Sequence, residues 1–191
     1  MGVIINEADR MTRIVQDLLT LSKIDYGKME MNISRFSFAK AISNVYEAAK
    51  LNAEQNHQHK ISFHCEDDIP DVMGDRERIE QVVMNIVSNA IKYTPEHSRI
   101  ELFAAPEGKF VRICVTDDGP GIPEESRDKL FDMFYTLGKT RSDGRRGLGL
   151  GLALCRSIVA AHGGVIDVQN AAPHGACFRF TLPRTEVTLY E

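Results

Sequence analysis

Asn85 and Asn89 stand one helical turn apart in the segment ERIEQVVMNIVSNAIKY. Ile79, Val82, Val83, Ile86 and Ala90 repeat there at helical spacing and form an apolar face. Gln81, Asn85, Ser88, Asn89 and Lys92 fall on the other side. A solvated helix face ordinarily draws on Glu, Lys and Arg, which favour helix and water together. Asn is a poor helix former because its side chain competes for the backbone. Two amides one turn apart therefore point to a polar ligand. The alternative is a plain amphipathic helix that tolerates amides.

Two further segments carry chemistry. Asp117-Asp118-Gly119-Pro120-Gly121 directly follows the apolar run from Val111 to Thr116. A carboxylate at a strand end can accept a hydrogen bond from an exocyclic amino group, and the glycines let the backbone approach a flat ring. An ordinary strand-to-helix turn is the other reading. Gly147-Leu148-Gly149-Leu150-Gly151-Leu152 opens an apolar helical pattern. Glycines there let backbone N–H groups and the positive helix end meet phosphates. The spacing is too short for a dinucleotide fingerprint, and no Lys-Ser/Thr follows as in a phosphate-binding P-loop. Just upstream, GKTRSDGRR (138–146) carries Lys139, Arg141, Arg145 and Arg146 without an apolar anchor. It reads either as a basic lid over a polyphosphate or as a solvated loop.

These segments need elements to hold them. Asp75 is placed to cap the amide helix, which runs to about Tyr93 before Pro95 stops it. Arg99–Ala105 and Lys109–Thr116 read as a hairpin through Pro106-Glu107-Gly108. A helix is predicted from about Leu148 to His162, ended by Gly163-Gly164, then strands over Val165–Asn170 and Ala176–Leu182. Upstream, Ser37 caps a helix with Phe38, Ile42, Val45 and Ala49 on its apolar face; strands follow at Ile61–Cys65 and around Val72-Met73. The sum is an α+β fold, a two-layer sandwich with a mixed, largely antiparallel sheet.

Residues 4–26 read as one long helix whose Met11, Ile14, Leu18 and Leu21 make a heptad-like seam, extended by Ile4 and Ala8. Such a helix cannot bury its seam alone and calls for a partner helix. The expected organisation is a helical segment over 1–26, a linker over 27–36, a main domain over 37–183 and a loose tail over 184–191.

Composition excludes several classes. The chain has 191 residues, 43% hydrophobic and 26% charged, as a globular domain does. A net charge of −4 argues against bulk nucleic-acid binding. No apolar run is long enough to span a bilayer, and the first residues lack the pattern of a signal peptide. The scattered cysteines Cys65, Cys114, Cys155 and Cys177 form no C-x-x-C pair and read as reduced, mostly buried cytosolic thiols.

The order of these motifs carries a resemblance. The amide helix, then Asp117-x-Gly-x-Gly, then Phe131 and Phe134, then G-x-G-L-G-L resembles the N, G1, F and G2 boxes of sensor histidine kinases, members of the ATPase superfamily shared with gyrase, Hsp90 and MutL. It implies a Bergerat-type ATP-binding fold with ATP and Mg²⁺ as ligands. By the same resemblance Asn89 would bind Mg²⁺, with Asn85 supporting metal and phosphates and Lys92 contacting phosphate. Tyr93 would pack by the adenine, and Asp117 would take its amino group. Gly119 and Gly121 would shape the pocket and Ile122 would line it. Gly147, Leu148, Gly149, Leu150, Gly151 and Leu152 would border the phosphates.

DRMTRIVQDLLTLSKID also resembles the second helix of the family's dimerisation and phosphotransfer domain. The implied partners are the phosphoacceptor-histidine helix of a full-length kinase, a second copy of the chain in a homodimer, and a cognate response regulator. The implied location is cytoplasmic, as the inner part of a membrane-anchored sensor. None of His57, His59, His64, His97, His162 and His174 sits in a phosphoacceptor motif, so the chain is expected not to phosphorylate itself. SDGRRGLGLGLALCRSIVAAHGG and HGACFRFTLP look most like the Kdp-type, potassium-responsive subfamily.

Three functions compete. The first is phosphoryl transfer from ATP to a histidine. The second is ATP hydrolysis of the gyrase or Hsp90 kind, which in those relatives uses a carboxylate base one turn before the metal-binding Asn. Here that position is Asn85, and an amide does not accept a proton at neutral pH. The third is nucleotide binding without catalysis.

Overall fold

A computed structural model describes residues 2–25, 27–28, 30–137 and 148–184. The chain opens with helix α1 (Gly2–Asp25), strand β1 (Ser34–Phe36) and helix α2 (Phe38–His57). Strands β2 (Lys60–Cys65) and β3 (Val72–Gly74) lead to helix α3 (Arg76–Tyr93). Then come β4 (Arg99–Glu107), β5 (Phe110–Asp117), the short α4 (Glu124–Arg127), α5 (Gly151–Ala161), β6 (Ile166–Asn170) and β7 (Ala176–Pro183).

The main sheet runs β2-β4-β5-β7-β6. Only β2 and β4 are parallel; the other pairs are antiparallel. Burial alternates along β5 and β7, so each strand turns one row of side chains to the helices and the other to an open face. Ile100, Leu102, Ile113 and Phe180 from the sheet meet Phe38, Ile42, Ile79, Ile86, Leu154 and Ile158 from α2, α3 and α5. Fully burying such a side chain stabilises by about 1.5–3 kcal/mol each.

The predicted caps form. Ser37 Oγ accepts from Lys40 N at 3.3 Å, and Asp75 Oδ1 accepts from Arg78 N at 3.2 Å. Asp75 Oδ2 also accepts from Asn32 N at 3.1 Å, which ties the segment before β1 to the start of α3. The β4–β5 turn is tight because Gly108 adopts φ +57.

Four expectations change. The end of the segment read as linker is a strand: β1 pairs antiparallel with β3, Phe36 opposite Val72. Helix α5 begins at Gly151 and not at Leu148, because Gly149 at φ +71 breaks helical geometry. The α1 seam divides. Leu21 is buried, and Ile14 and Ile24 pack against the domain core, with α1 lying on α5. The chain therefore supplies part of the partner that this helix needs. Met11 and Leu18 stay exposed beside Val15 and Leu19. Finally, only Cys155 is buried; Cys65, Cys114 and Cys177 are half-buried.

Candidate functional site

The site is built around α3. Its apolar face is buried as expected, with Val87 and Ile91 added. Asn85 and Asn89 are half-buried on its flank. Asn85 lies against Gly151, where a Cβ would stand 3.9 Å from its Nδ2. The first turn of α5 thus sits beside the amide helix. The amide of Asn89 makes no side-chain hydrogen bond among the described residues. A half-buried amide left without a partner is poised for one from outside.

At its C-terminal end α3 meets the Asp117 loop. Thr94 Oγ1 donates to Ala90 O at 2.7 Å, which turns its methyl toward Gly119. A Cβ on Gly119 would come within 2.8 Å of that methyl and 2.9 Å of Asp117 Oδ1, so only glycine fits. Asp117 is buried at the end of β5, and its Oδ1 accepts from Gly119 N at 2.9 Å and Ala176 N at 3.2 Å. Its other oxygen has no hydrogen bond among the described residues. Burial pushes the Asp117 carboxyl above its ordinary range; the Gly119 and Ala176 N–H groups pull against that shift, and neighbouring Asp118 adds to it. Asp118 behaves oppositely. Against a burial effect that raises it, the Arg99 N–H, the Ser98 hydroxyl and the Arg99 guanidinium hold its carboxyl low, and it stays bound to Arg99 N at 2.9 Å.

Sequence reasoning missed the wall behind this loop. Asn170 Oδ1 accepts from Ile122 N at 2.8 Å, and its Nδ2 donates to Ile122 O at 3.0 Å. Gly121, at φ +75, packs within 3.1 Å of both Asn170 Oδ1 and Gly175 O, counted from a Cβ it does not have. Gly175, at φ +111, lies so close to the Asp117 carbonyl that any side chain would overlap it. The only signal available in sequence was an Asn and a Gly bracketing the turn between the last two strands.

The G2 glycines join the F motif. Gly149 O accepts from Phe134 N at 3.1 Å, and a Cβ on Gly149 would fall 2.5 Å from Tyr135 O. Phe131 is buried edge-on to Phe178, with ring centroids 6.4 Å apart. Helix α5 has no side-chain cap at its N-terminus, so its first-turn N–H groups are left for another acceptor.

The remaining expected residues divide. Lys92 and Tyr93 are exposed and touch each other, Nζ 3.2 Å from the Tyr93 hydroxyl and 4.8 Å from the ring centroid. Ile122 and Leu150 are buried in the core and anchor their loops there. Leu148 is exposed and Leu152 half-buried. Gly147 and the 138–146 segment lie outside the described residues. A depression of about 340 Å³ is lined by Lys60, Ser62, Arg99, Glu101, Thr116, the 171–174 turn and also Asp117 and Asp118. Strand alternation puts Glu101 and Thr116 on the open face, so this part of the lining lies outside the cleft between α3 and the glycine loops.

The Asp117 loop and the G2 glycines thus meet the amide helix, and the F motif joins them through Gly149. Asn85 faces the G2 glycines and Thr94 faces the Asp117 loop, nine residues or about 13 Å along the α3 axis. A fold of this topology, with amides along the middle and C-terminal half of the helix and a buried carboxylate just past its C-terminal end, defines a nucleotide-binding ATPase domain. Residues 74–186 match the histidine kinase-, DNA gyrase B-, and HSP90-like ATPase family, and the chain belongs to it. It is 36% identical over 181 residues to the sensor protein KdpD of Clostridium acetobutylicum, covering 95% of this chain and 20% of that protein. Among solved structures, full-length ShkA in complex with AMPPNP superposes with a TM-score of 0.79 at 28% identity, over 93% of this chain and 36% of that one. Histidine kinase ThkA in complex with the response regulator TrrA gives 0.76 at 31% identity, over 96% of this chain and 50% of that one. The chain therefore spans between about a fifth and a half of the length of these proteins.

Proposed function

We propose that this chain binds Mg²⁺-ATP and passes the γ-phosphoryl group to a histidine on a neighbouring helix, as the catalytic part of a sensor histidine kinase. The observation that carries the reading is the placement along one wall of two polar groups with no hydrogen-bond partner among the described residues: the second oxygen of Asp117, beside the C-terminal end of α3, and the amide of Asn89, in the C-terminal half of the same helix. The adenine amino group would donate to Asp117. The triphosphate would run along α3 toward Asn85 and the uncapped first turn of α5.

Among the described residues no three His, Cys, Asp or Glu side chains gather to chelate a metal. The fit for Mg²⁺ rests on the hard amide oxygen of Asn89 together with oxygens that the nucleotide brings. When bound, the cation would neutralise phosphate charge. The chain itself orients the nucleotide, excludes water from the adenine and holds the phosphates with backbone N–H groups. Positioning and charge neutralisation carry most of such a reaction. No carboxylate stands at Asn85 to activate water, which favours transfer over hydrolysis.

The apolar stripe left on α1 supports a helical partner, either the phosphoacceptor helix or a second copy of the chain. A response regulator would then receive the phosphoryl group. Among the described residues no helix is long and apolar enough to cross a membrane; a cytoplasmic place beneath a membrane anchor belongs to this proposal. The Kdp-type assignment rests on the α5 and β7 motifs and on the KdpD relative.

The test is to mix the chain with a separately produced phosphoacceptor helical hairpin and γ-labelled ATP. Label on the hairpin histidine is the expected result. Free labelled phosphate with an unlabelled hairpin would favour a hydrolase, and bound but unconsumed ATP a binding module.

A further inference from the structure

The loop from Asp117 to Ile122 is gripped at both ends by one cross-strand pair. In the β6–β7 register Asn170 stands opposite Ala176. Ala176 N donates to Asp117 Oδ1 at 3.2 Å. The Asn170 side chain takes the other end: its Oδ1 accepts from Ile122 N at 2.8 Å and its Nδ2 donates to Ile122 O at 3.0 Å. One side-chain amide thus meets both backbone groups of one residue, as a neighbouring strand would. Asn170 is the last residue of β6, at the edge of the sheet. It continues the row of Ile166 and Val168, which are buried, but is itself exposed.

The two halves of the loop are fixed by different means. At its start, Asp118 N donates to Arg99 O at 3.2 Å and the Asp118 carboxylate accepts from Arg99 N at 2.9 Å, which ties it to β4. Its second half, Gly119-Pro120-Gly121, has no side chain that can hydrogen-bond, and Gly121 is left-handed at φ +75. The buried Ile122 side chain sets the depth of the chain there, but apolar contact is non-directional. Orientation of the Ile122 peptide groups comes from Asn170.

We propose that Asn170 is a specificity-determining positioning residue for the nucleotide base: through Ile122 it holds the Gly119–Gly121 backbone in register with the Asp117 carboxylate. This rests on the reading that Asp117 receives the adenine amino group. Asp117 then reads the edge of the base while the loop backbone confines its plane. A confined base with a carbonyl at that edge, as in GTP, meets the carboxylate oxygen directly and is rejected. Freed from Asn170, the loop admits other tilts of the ring. The amino group then loses its alignment with Asp117, and the carbonyl is no longer forced against it. Asn170 touches no part of the base in this scheme and acts only through the loop.

The experiment measures Mg²⁺-ATP, Mg²⁺-GTP and Mg²⁺-tripolyphosphate binding to the whole chain by calorimetry; tripolyphosphate probes the phosphate half of the site alone. The original chain should prefer ATP to GTP. Two hydrogen bonds at the weak end expected for an exposed pair amount to a factor of roughly five, so Asn170→Ala should lower the ATP-to-GTP preference by about that much. Tripolyphosphate should bind the variant as before. Asn170→Asp keeps the size of the side chain but sets a carboxylate against Ile122 O, and it should lose the preference too. Circular dichroism checks that each variant is folded. A folded variant of either kind that keeps the original preference would overturn the proposal. So would an equal loss of ATP, GTP and tripolyphosphate binding, which marks a general disturbance. An original chain with no preference for ATP would overturn the adenine reading itself, and this inference with it.

Discussion

Replacing Asp117 by Asn separates binding from folding at a single side chain. The substitution keeps the shape and leaves an Oδ1 to accept from Gly119 N and Ala176 N, now at 2.9 and 3.2 Å. It turns the second oxygen into an NH₂ group. In the proposed complex that group would face the adenine amino group, donor against donor. A charge-assisted hydrogen bond is lost, so affinity for Mg²⁺-ATP should fall by about 1–2 kcal/mol, or about 5- to 30-fold. GTP, which presents a carbonyl in place of the amino group, should compete poorly with ATP in the original chain and less poorly in the variant.

Stability should move the other way. Burial raises the folded-state carboxyl of Asp117. A raised group holds its proton more tightly in the folded state, so its contribution is fully present below the ordinary Asp value of about 3.9 and is lost as pH rises through the folded value. At pH 7 the ionised carboxylate therefore costs stability, and an amide in its place removes that cost. Without nucleotide, the Asp117→Asn chain should melt at or above the original's temperature at pH 7, and the difference should shrink in acid. Titration calorimetry with ATP and GTP, and thermal unfolding between pH 4 and 7, measure both effects. Unchanged ATP affinity would refute the adenine assignment. A variant that melts lower at pH 7 than the original, with the gap closing in acid, would refute the electrostatic account.

Three other substitutions test the rest of the wall. Asn89→Ala should bind nucleotide without the gain that Mg²⁺ gives the original chain, a comparison made by calorimetry with and without a chelator. Gly149→Ala forces a methyl into the Tyr135 carbonyl at a left-handed backbone position. It should cost more than about 1 kcal/mol in denaturant unfolding and weaken phosphate binding, because the start of α5 shifts. His162→Ala removes the acceptor of Asp75 N, now 2.9 Å from Nε2, and the Nδ1–H that donates to Ile158 O at 2.7 Å. Leaving Asp75 N–H unsatisfied should lower the unfolding free energy by about 1–3 kcal/mol while ATP affinity in the folded chain holds.

What the sequence made legible was local. Asp75 before an apolar repeat and Pro106-Glu107-Gly108 between two alternating runs are signals contained within a few residues, and both elements formed as expected. What escaped was set by distant partners. Ser34-Arg35-Phe36 has no strand signature of its own and becomes one only because β3 lies beside it. Asn170 and Gly175 serve the Asp117 loop from about fifty residues downstream, across two strands. The α5 start slipped because a glycine run opening an apolar pattern does not reveal which glycine turns left-handed; contact with Phe134 and Tyr135 decides it. Ile14 and Leu21 share the apolar periodicity of Met11 and Leu18, and only the position of α5 divides them.

Four departures from local stability lie along one side of α3. Asn89 lacks a partner among the described residues, Asp117 is ionised where burial opposes it, Gly149 is left-handed, and α5 starts without a side-chain cap. The opposite side of the same helix is uniformly aliphatic and closed, with Ile79, Val82, Val83, Ile86, Val87, Ala90 and Ile91 all buried. These four on one edge, with a closed aliphatic core behind them, are what a preorganised site requires: rigid support on one side and unmet hydrogen-bonding capacity on the other. One nucleotide with its cation has the right groups for all of them, an amino donor for Asp117, a metal for Asn89 and phosphate oxygens for the N–H groups at the start of α5.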